Sequence, residues 1–430
     1  MKKIGIVSLG CAKNLIDSEM MLGMFKDGDY IFTSSPEEAD LIIINTCGFI
    51  ESAKKEAIET ILEMEKYHKK LLVTGCLVTR YQKELEVEMP EVDCYSPISE
   101  YPSLHEKVKA MLDRDDIVQM DPLRRVVSTP SYSAYLRISD GCNNFCSFCA
   151  IPYIRGRFVS RPYEEIIKEA KTLKEEGIKE ISIISQDTTM YGVDFPSKHP
   201  NIVDLLKELD NMGFYSIRLL YLYPGEISDE LLNLIKDSKS IAHYFDIPIQ
   251  CGSNHLLKKM NRHCTKEETI ALFKKIKEMM PEAILRTTLI SGFPDENDDD
   301  QKEVIEMMNE IRFDHLGDFI YSREKGTASY KYKNQVPEEI KEKRRDEILR
   351  LQKKISYSNN KKQIGKVMEG IVTGYDPFTH RYNLRSYWNA PDDIDGRIEF
   401  TSSRCLKEGD IVKVKITSAF IYDLMGEEVS

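Results

Sequence analysis

Short apolar runs alternate with helical patterns in the first hundred residues of the chain. The segments between the apolar runs, residues 14–26 and 51–66, repeat apolar positions at helical spacing. The apolar runs, each typical of a buried strand, are residues 3–9, 40–46 and 71–75. Strands that alternate with helices are typical of a parallel sheet with crossover helices. We therefore predict an open parallel α/β sheet domain over residues 1–117.

The same alternation resumes after a polar, proline-containing stretch at residues 113–132, which we predict to be a linker. Six further strand-like runs follow, at residues 134–139, 180–185, 216–223, 244–250, 284–290 and 316–321. A charged, amphipathic helix is predicted over residues 337–360. Six β/α units predict a partial TIM-like (β/α)6 barrel over residues 128–358, with its chemistry at the carboxyl ends of the strands.

Beyond residue 361 the pattern changes to short strands with alternating polar and apolar positions. These strands are predicted at residues 366–373, 381–385, 395–400 and 411–419. Glycine, aspartate and proline turns join them, which is typical of small antiparallel barrels. The chain is therefore predicted to end in an OB-like β-barrel over residues 361–430.

Composition narrows the class of protein. No apolar run among the 430 residues is long enough to span a membrane, and Ser8 interrupts the first run too early for a signal peptide. We therefore predict a cytoplasmic protein without membrane attachment. The formal net charge of −11 argues against a protein whose main task is to bind nucleic-acid phosphates. Ten cysteines are too few for a disulfide scaffold, which leaves metal binding or redox chemistry as their use.

The most specific signal is a C-x3-C-x2-C spacing that follows the first strand of the predicted barrel. Its members are Cys142, Cys146 and Cys149. Three thiolates can hold three irons of a [4Fe–4S] cluster and leave the fourth iron open to a non-protein ligand. A structural zinc site is the alternative. Zinc usually needs four protein ligands in paired spacings, and no matching pair lies nearby.

Three other cysteines each follow one of the predicted strands of the first domain. They are Cys11, Cys47 and Cys76. Because the carboxyl ends of parallel strands meet at one edge of a sheet, we expect these thiols to converge there. They could then share a second metal cluster. The alternative is that they are small buried residues placed at strand ends by chance.

Residues 141–149 resemble the cluster motif of the radical S-adenosylmethionine superfamily. The resemblance implies that the cluster held by Cys142, Cys146 and Cys149 binds S-adenosylmethionine and converts it to a 5′-deoxyadenosyl radical. It also implies that Phe148 lies near the adenine of this cofactor. Four further residues that end or follow predicted strands, and Gly292 in a turn, could line the same pocket. These candidates are Gln186, Asp187, Gln250, Arg286 and Gly292, and strand capping or turn geometry is the alternative for each.

Residues 9–14, 45–50 and 74–76 are similar to the amino-terminal domain of the methylthiotransferase family within this superfamily. The similarity implies that Cys11, Cys47 and Cys76 hold a second [4Fe–4S] cluster, and that the terminal barrel is a TRAM domain. One S-adenosylmethionine would donate a methyl group to sulfur at this second cluster. Another would supply the radical that removes hydrogen from the substrate. An external electron donor and a sulfur source are also implied.

Three stretches resemble the branch of this family that modifies a ribosomal protein rather than transfer RNA: residues 185–192, 385–396 and 422–426. The implied activity is methylthiolation of the β-carbon of an aspartate in the twelfth small-subunit ribosomal protein. Residues 361–430 carry ten basic and eleven acidic side chains, a balance that does not favour an RNA-binding barrel. The alternatives are a transfer-RNA adenosine methylthiotransferase and a non-catalytic iron–sulfur carrier.

Overall fold

The computed structural model of the protein describes residues 1–392 and 394–429. Asp393, which belongs to the motif at residues 385–396, and the terminal Ser430 lie outside the described residues. None of the helices in the described ranges combines the length and the apolar character needed to cross a membrane.

The first domain is a five-stranded parallel sheet in the order β2-β1-β3-β4-β5. Its elements in chain order are β1 (Lys2–Ser8), α1 (Ala12–Gly23), β2 (Tyr30–Phe32), β3 (Leu41–Thr46), α2 (Glu51–Glu65), β4 (Lys70–Gly75), α3 (Cys76–Glu88), β5 (Cys94–Ser96) and α4 (Leu104–Leu112). The predicted sheet is confirmed, and β2 and β5 extend it at both edges. These two strands have three residues each, too few for a visible periodicity.

Helices cover both faces of this sheet because its central strands are apolar on both sides. In β3, Ile42 and Ile44 pack against α2 and α3. The alternate residues Leu41 and Ile43 pack against α1 and α4. A strand buried on both faces has a continuous apolar run, which is the pattern of β3.

The predicted linker at residues 113–132 is not a loose connection, because a buried arginine fixes it between the first two domains. Arg125 pairs with Glu19 of α1 at 3.0 Å and with Glu169 of the second domain at 3.1 Å. Its guanidinium also donates to the carbonyl oxygen of Tyr135 at 2.6 Å. This segment therefore joins the domains through charge pairs that the polar sequence did not reveal.

Six parallel strands form the second domain in two hydrogen-bonded groups, β10-β9-β6 and β11-β12-β13. Its elements are β6 (Ser133–Arg137), β7 (Ser139–Asp140), α5 (Ile151–Ile154), β8 (Val159–Ser160), α6 (Tyr163–Glu175), β9 (Glu180–Ile184), α7 (Ile202–Asn211), β10 (Ser216–Leu219), α8 (Asp229–Asp237), β11 (Tyr244–Asp246), α9 (Asn254–Lys259), α10 (Lys266–Met279), β12 (Ile284–Ser291), α11 (Asp298–Ile311), β13 (His315–Ile320) and α12 (Glu338–Lys361). Ile217 bonds to Ser240 and Ala242, which connects the two groups. The predicted partial barrel is confirmed.

The third domain is a closed five-stranded barrel in the order β14-β15-β16-β18-β17. Its strands are β14 (Val367–Asp376), β15 (Arg381–Ser386), β16 (Ile398–Thr401), β17 (Ile411–Ala419) and β18 (Leu424–Val429). The predicted small antiparallel barrel is confirmed, although one of its strand pairs, β16 and β18, is parallel. β18 closes the barrel although its sequence, with glycine and two glutamates, has no apolar alternation.

A loop of the terminal barrel closes the amino-terminal end of the partial barrel. Trp388 and Ala390 of this loop share one apolar cluster with Tyr244 and Ile184 from the barrel strands and with Ile16 of α1. The interior of the partial barrel is therefore a cup. The loop forms its floor, and its opening lies at the carboxyl ends of the strands.

Candidate active site

The first cysteine triad occupies the loop between β7 and α5, at the carboxyl end of the barrel strands. The loop folds on itself, because the backbone amide of Cys149 donates to the carbonyl of Cys146 at 2.9 Å. The amide of Cys142 donates to the carbonyl of Gly156 at 3.3 Å. Ser147 donates to the carbonyl of Met260 at 2.9 Å, which anchors the loop to the far side of the barrel.

The three cysteines of this loop are partly buried and lie near one another. Burial, with a smaller contribution from the neighbouring Cys146, raises the pKa of Cys142 to about 11 and that of Cys149 to about 12. The guanidinium of Arg262 lies 3.7 Å from the Cys146 sulfur. A buried thiolate needs a positive partner, and bound iron together with this arginine would provide it.

The second triad lies at the carboxyl end of the first domain's sheet, where two glycines allow the three loops to approach closely. A Cβ atom at Gly10 would stand 2.8 Å from the Cβ of Cys47 and 3.1 Å from its sulfur. A Cβ at Gly48 would stand 3.0 Å from the carbonyl carbon of Cys76. Cys11 follows Gly10 directly in the chain, so the structure brings the three predicted cysteines together.

Exposure differs among these three thiols. Cys11 is exposed, Cys47 is partly buried and Cys76 is buried. Burial raises the pKa of Cys47 and raises that of Cys76 to about 12, and in both cases the neighbouring Cys11 adds to the rise. The thiols therefore line a site that is closed on the side of Cys76 and open on the side of Cys11.

Two buried asparagines hold the loops of the second triad in place. The amide of Asn14 donates to the carbonyl oxygens of Leu9, at 2.9 Å, and Thr46, at 3.0 Å. The Cys76 thiol lies 3.6 Å from the Asn14 Oδ1. Asn45 donates in turn to the carbonyl of Asn14 at 2.8 Å. These bonds tie the residues beside Cys11 and Cys47 to each other.

Arg155 connects the two triads. It follows the first triad in the chain, yet it donates to Asn14 at 2.9 Å and to Asp17 at 2.7 Å, both on α1. Its other nitrogen donates at 3.1 Å to Asp140, two residues before Cys142. Cys76 also packs against Ala150 and Ile154 beside the first triad. The two triads therefore share a wall of buried side chains.

Each of the two sites brings together three cysteines, the type of ligand that iron–sulfur clusters use. Within the described residues, no three His, Cys, Asp or Glu side chains are close enough to share one ion. A [4Fe–4S] cluster differs from an ion because each thiolate binds its own iron, so the thiols surround the cluster rather than meet at a point. Each triad could supply three such ligands, and a fourth iron would then be open to another molecule.

Four of the predicted cofactor residues lie close to the first triad or at the open end of the barrel. Phe148 packs edge-on against Phe293 at 6.4 Å between ring centroids. Asp187 accepts from Asn144 at 2.7 Å, and burial raises its pKa. Gln186 donates to Asp140 at 2.9 Å, while its Oε1 is buried and has no partner in the described chain. Gln250 has a left-handed backbone with φ of 73° beyond β11.

The remaining two candidates, Arg286 and Gly292, lie in contacts that support the fold. Arg286 does not end a strand, because it is the third residue of β12. Its guanidinium pairs with Asp246 at 2.7 Å and with Asp395 of the terminal barrel at 3.3 Å, near the floor of the cup. Gly292 lies beneath α12, where a Cβ would stand 2.1 Å from the Cγ of Lys341.

Sequence reasoning missed Lys13 and Arg155. Lys13 is two residues after Cys11, and only 6% of its surface is exposed. Its ammonium lies 3.1 Å from the centroid of the Tyr221 ring. Lys13 lies within the stretch at residues 9–14, but lysines are mostly exposed, so its sequence position does not indicate that it is buried. Nothing in the local sequence of Arg155 indicates its distant partners.

Three family comparisons cover most of the chain. Residues 3–96 match the family described as uncharacterized protein family UPF0004, residues 136–308 match the radical SAM superfamily, and residues 364–429 match the TRAM domain. Ribosomal protein uS12 methylthiotransferase RimO of Aquifex aeolicus is 45% identical, over 99% of this chain and 97% of that protein. The protein of the same name from Acetivibrio thermocellus is 44% identical, over 100% and 99%.

Two solved structures share the fold at low identity. The radical S-adenosylmethionine methyltransferase TsrM of Kitasatospora setae aligns with a TM-score of 0.55 and 13% identity, over 74% of this chain and 75% of that one. The cobalamin-dependent radical enzyme OxsB aligns with a TM-score of 0.52 and 14% identity, over 77% and 55%. At such identities the likeness concerns the arrangement of elements alone.

Proposed function

The chain belongs to the ribosomal protein uS12 methylthiotransferase family of radical SAM enzymes, and we propose that it attaches a methylthio group to the β-carbon of an aspartate in ribosomal protein uS12. The observation that carries this proposal is the pair of neighbouring thiol triads joined through Arg155. A single triad would suffice for radical chemistry alone. A second triad beside it gives sulfur chemistry a place within reach of the same substrate carbon.

We assign the two sites by their position. Cys142, Cys146 and Cys149 would hold the cluster that binds S-adenosylmethionine, since they lie at the carboxyl ends of the barrel strands. Cys11, Cys47 and Cys76 would hold the second cluster. When bound, the clusters and S-adenosylmethionine supply a radical that removes hydrogen from an unactivated carbon and a methylated sulfur that replaces it, chemistry that no side chain can perform.

The protein contributes orientation and exclusion of water. Asn144 and Asp187 are hydrogen-bonded beside Cys142, so they would fix the loop of the first cluster against the cofactor pocket. The unpartnered Oε1 of Gln186 would accept a hydrogen bond from bound cofactor. Phe148 and Gln250 remain our proposals for further cofactor contacts. We assign Arg286 and Gly292 to structural roles, because ion pairs and helix packing already engage them.

The charge of the terminal domain also agrees with the proposed substrate. A barrel that gripped RNA would normally be clearly basic, whereas the terminal domain carries slightly more acidic than basic residues. Such a surface suits a basic ribosomal protein better. An electron donor and a sulfur source from outside the chain complete the proposal, and a ribosomal substrate suits the predicted cytoplasmic location.

The experiment is a reconstituted reaction with two competing substrates. Anaerobically prepared enzyme is incubated with S-adenosylmethionine, sulfide and a chemical reductant, in the presence of purified uS12 or total transfer RNA. We expect mass spectrometry to find one hydrogen replaced by a methylthio group on a uS12 aspartate. A modified adenosine with unmodified uS12 would refute the proposed substrate, and the absence of 5′-deoxyadenosine would refute the radical chemistry.

A further inference from the structure

Lys13 is a buried cation at the open end of the partial barrel. It lies in the first turn of α1, but its ammonium reaches the ring of Tyr221, which follows β10. Tyr221 has a left-handed backbone with φ of 63°, a conformation that is uncommon and costly for a tyrosine. A strained residue therefore forms one side of the pocket around Lys13, at the end of the barrel where chemistry is expected.

The acidic groups that face Lys13 already have other partners. Asp246 accepts from Arg286 at 2.7 Å and from the backbone amide of Tyr221 at 3.0 Å. Asp140 accepts from Arg155 at 3.1 Å and from Gln186 at 2.9 Å. Within the described residues, no carboxylate forms an ion pair with the Lys13 ammonium.

The surroundings of Lys13 belong to both thiol triads. Cys11 of the second triad is two residues away, and Arg155 and Asp140, which flank the first triad, also face it. A substrate carbon that reaches both clusters would lie between the two triads, and Lys13 faces residues of both. The side chain of the proposed substrate residue has a carboxylate bonded directly to its β-carbon, so the carboxylate must lie in the same space.

We infer that Lys13 binds the carboxylate of the substrate aspartate and thereby selects an acidic residue for modification. This inference rests on the proposed function. An unpaired buried ammonium is unfavourable, and a carboxylate that enters the pocket would give it a charge-assisted hydrogen bond. The aspartate would then be held by an atom adjacent to the carbon that reacts.

The competing role for Lys13 is to balance the negative charge of the second cluster. The two roles differ in whether cluster assembly or substrate binding depends on the lysine. A charge-balancing lysine would be needed for the cluster to assemble, whatever the substrate. A substrate-binding lysine would affect only ligands that carry the carboxylate.

The test uses the full-length reconstituted enzyme without reductant and two fluorescent peptides that copy the modified loop of uS12. One peptide carries the natural aspartate and the other carries asparagine at that position. In K13M, whose side chain is similar in length to that of lysine but carries no charge, we expect the affinity for the aspartate peptide to fall about 10- to 100-fold. The affinity for the asparagine peptide should stay within about 3-fold, which is below the contribution of one hydrogen bond to a charge. K26M, which alters an exposed lysine after the same helix, is the matched control.

Iron content separates the two roles. Retained iron in K13M together with a selective loss of aspartate binding would support the inference. An unchanged preference for aspartate, or a loss of iron in K13M but not in K26M, would overturn it. The wild-type reaction with uS12 reports on the proposed function independently, because it does not depend on the outcome for K13M.

Discussion

The two cysteine triads differ in how the chain builds them. Cys142, Cys146 and Cys149 lie within eight consecutive residues of one loop, and backbone hydrogen bonds inside the loop shape it. Cys11, Cys47 and Cys76 come from three separate loops, and a folded parallel sheet must bring them together. The first site is therefore mainly local, whereas the second depends on the register of β1, β3 and β4.

This difference implies different sensitivity to change. A local loop keeps its ligands close even when distant packing weakens. A site assembled from strand ends loses its geometry when any of the supporting bonds is removed. Arg155 couples the two triads, because it is hydrogen-bonded to Asp140 beside the first triad and to Asn14 beside the second. A change at one triad can therefore affect the other.

The largest effect on activity is expected from removing a ligand of the first triad. In C142A the first cluster loses one of three thiolates, so 5′-deoxyadenosine formation should fall to background. Product chromatography after incubation with S-adenosylmethionine and reductant measures this. The exposed cysteine variant C405A serves as control and should behave like wild type. Undiminished 5′-deoxyadenosine from C142A would contradict the assignment of the radical site.

Removing a ligand of the second triad should separate radical formation from methylthiolation. In C76A we expect no methylthio product but continued 5′-deoxyadenosine formation, because the first triad is intact. Iron analysis should show roughly half of the wild-type content, since one of two four-iron clusters is lost. Loss of both products would mean that the two sites cannot function separately and that the comparison between them fails.

Removing the hydrogen bonds that support the second triad should have a smaller effect. N14A removes the donor to the carbonyls of Leu9 and Thr46 and one acceptor of Arg155. Because these groups are buried, we expect a loss of about 2 kcal/mol in the free energy of unfolding. Denaturant titration measures this loss, and iron analysis should show partial depletion of the second cluster only. Equal depletion of both clusters would contradict the view that only the second triad depends on contacts between separate loops.

The same difference explains what the sequence could predict. The apolar runs located β1, β3 and β4, and their ends placed Cys11, Cys47 and Cys76 at one edge of a sheet. The partners of Arg155 could not be predicted, because Asn14 and Asp17 are far away in the chain and no periodicity links them. Likewise β18 could not be predicted, because glycine occupies one of its two buried positions and its two glutamates are consecutive, so the strand has no apolar alternation. Local patterns therefore revealed elements and ligands, and tertiary contacts set the rest.

Asp318 offers a reference that lies outside both triads. It accepts from Ser291 at 2.6 Å, and burial raises its pKa from an ordinary value of 3.8 to about 7. The folded protein therefore holds this proton more tightly than the unfolded chain does, so the contribution of Asp318 to stability is lost as pH rises from about 4 to about 7. In D318N the amide oxygen can still accept from Ser291 but carries no charge. Thermal unfolding should show the variant gaining stability relative to wild type as the pH rises through this window, with the iron content of both sites unchanged. A pH-independent difference would show that folding does not raise the pKa of this carboxyl. Lost iron would show that a residue outside the triads also affects them.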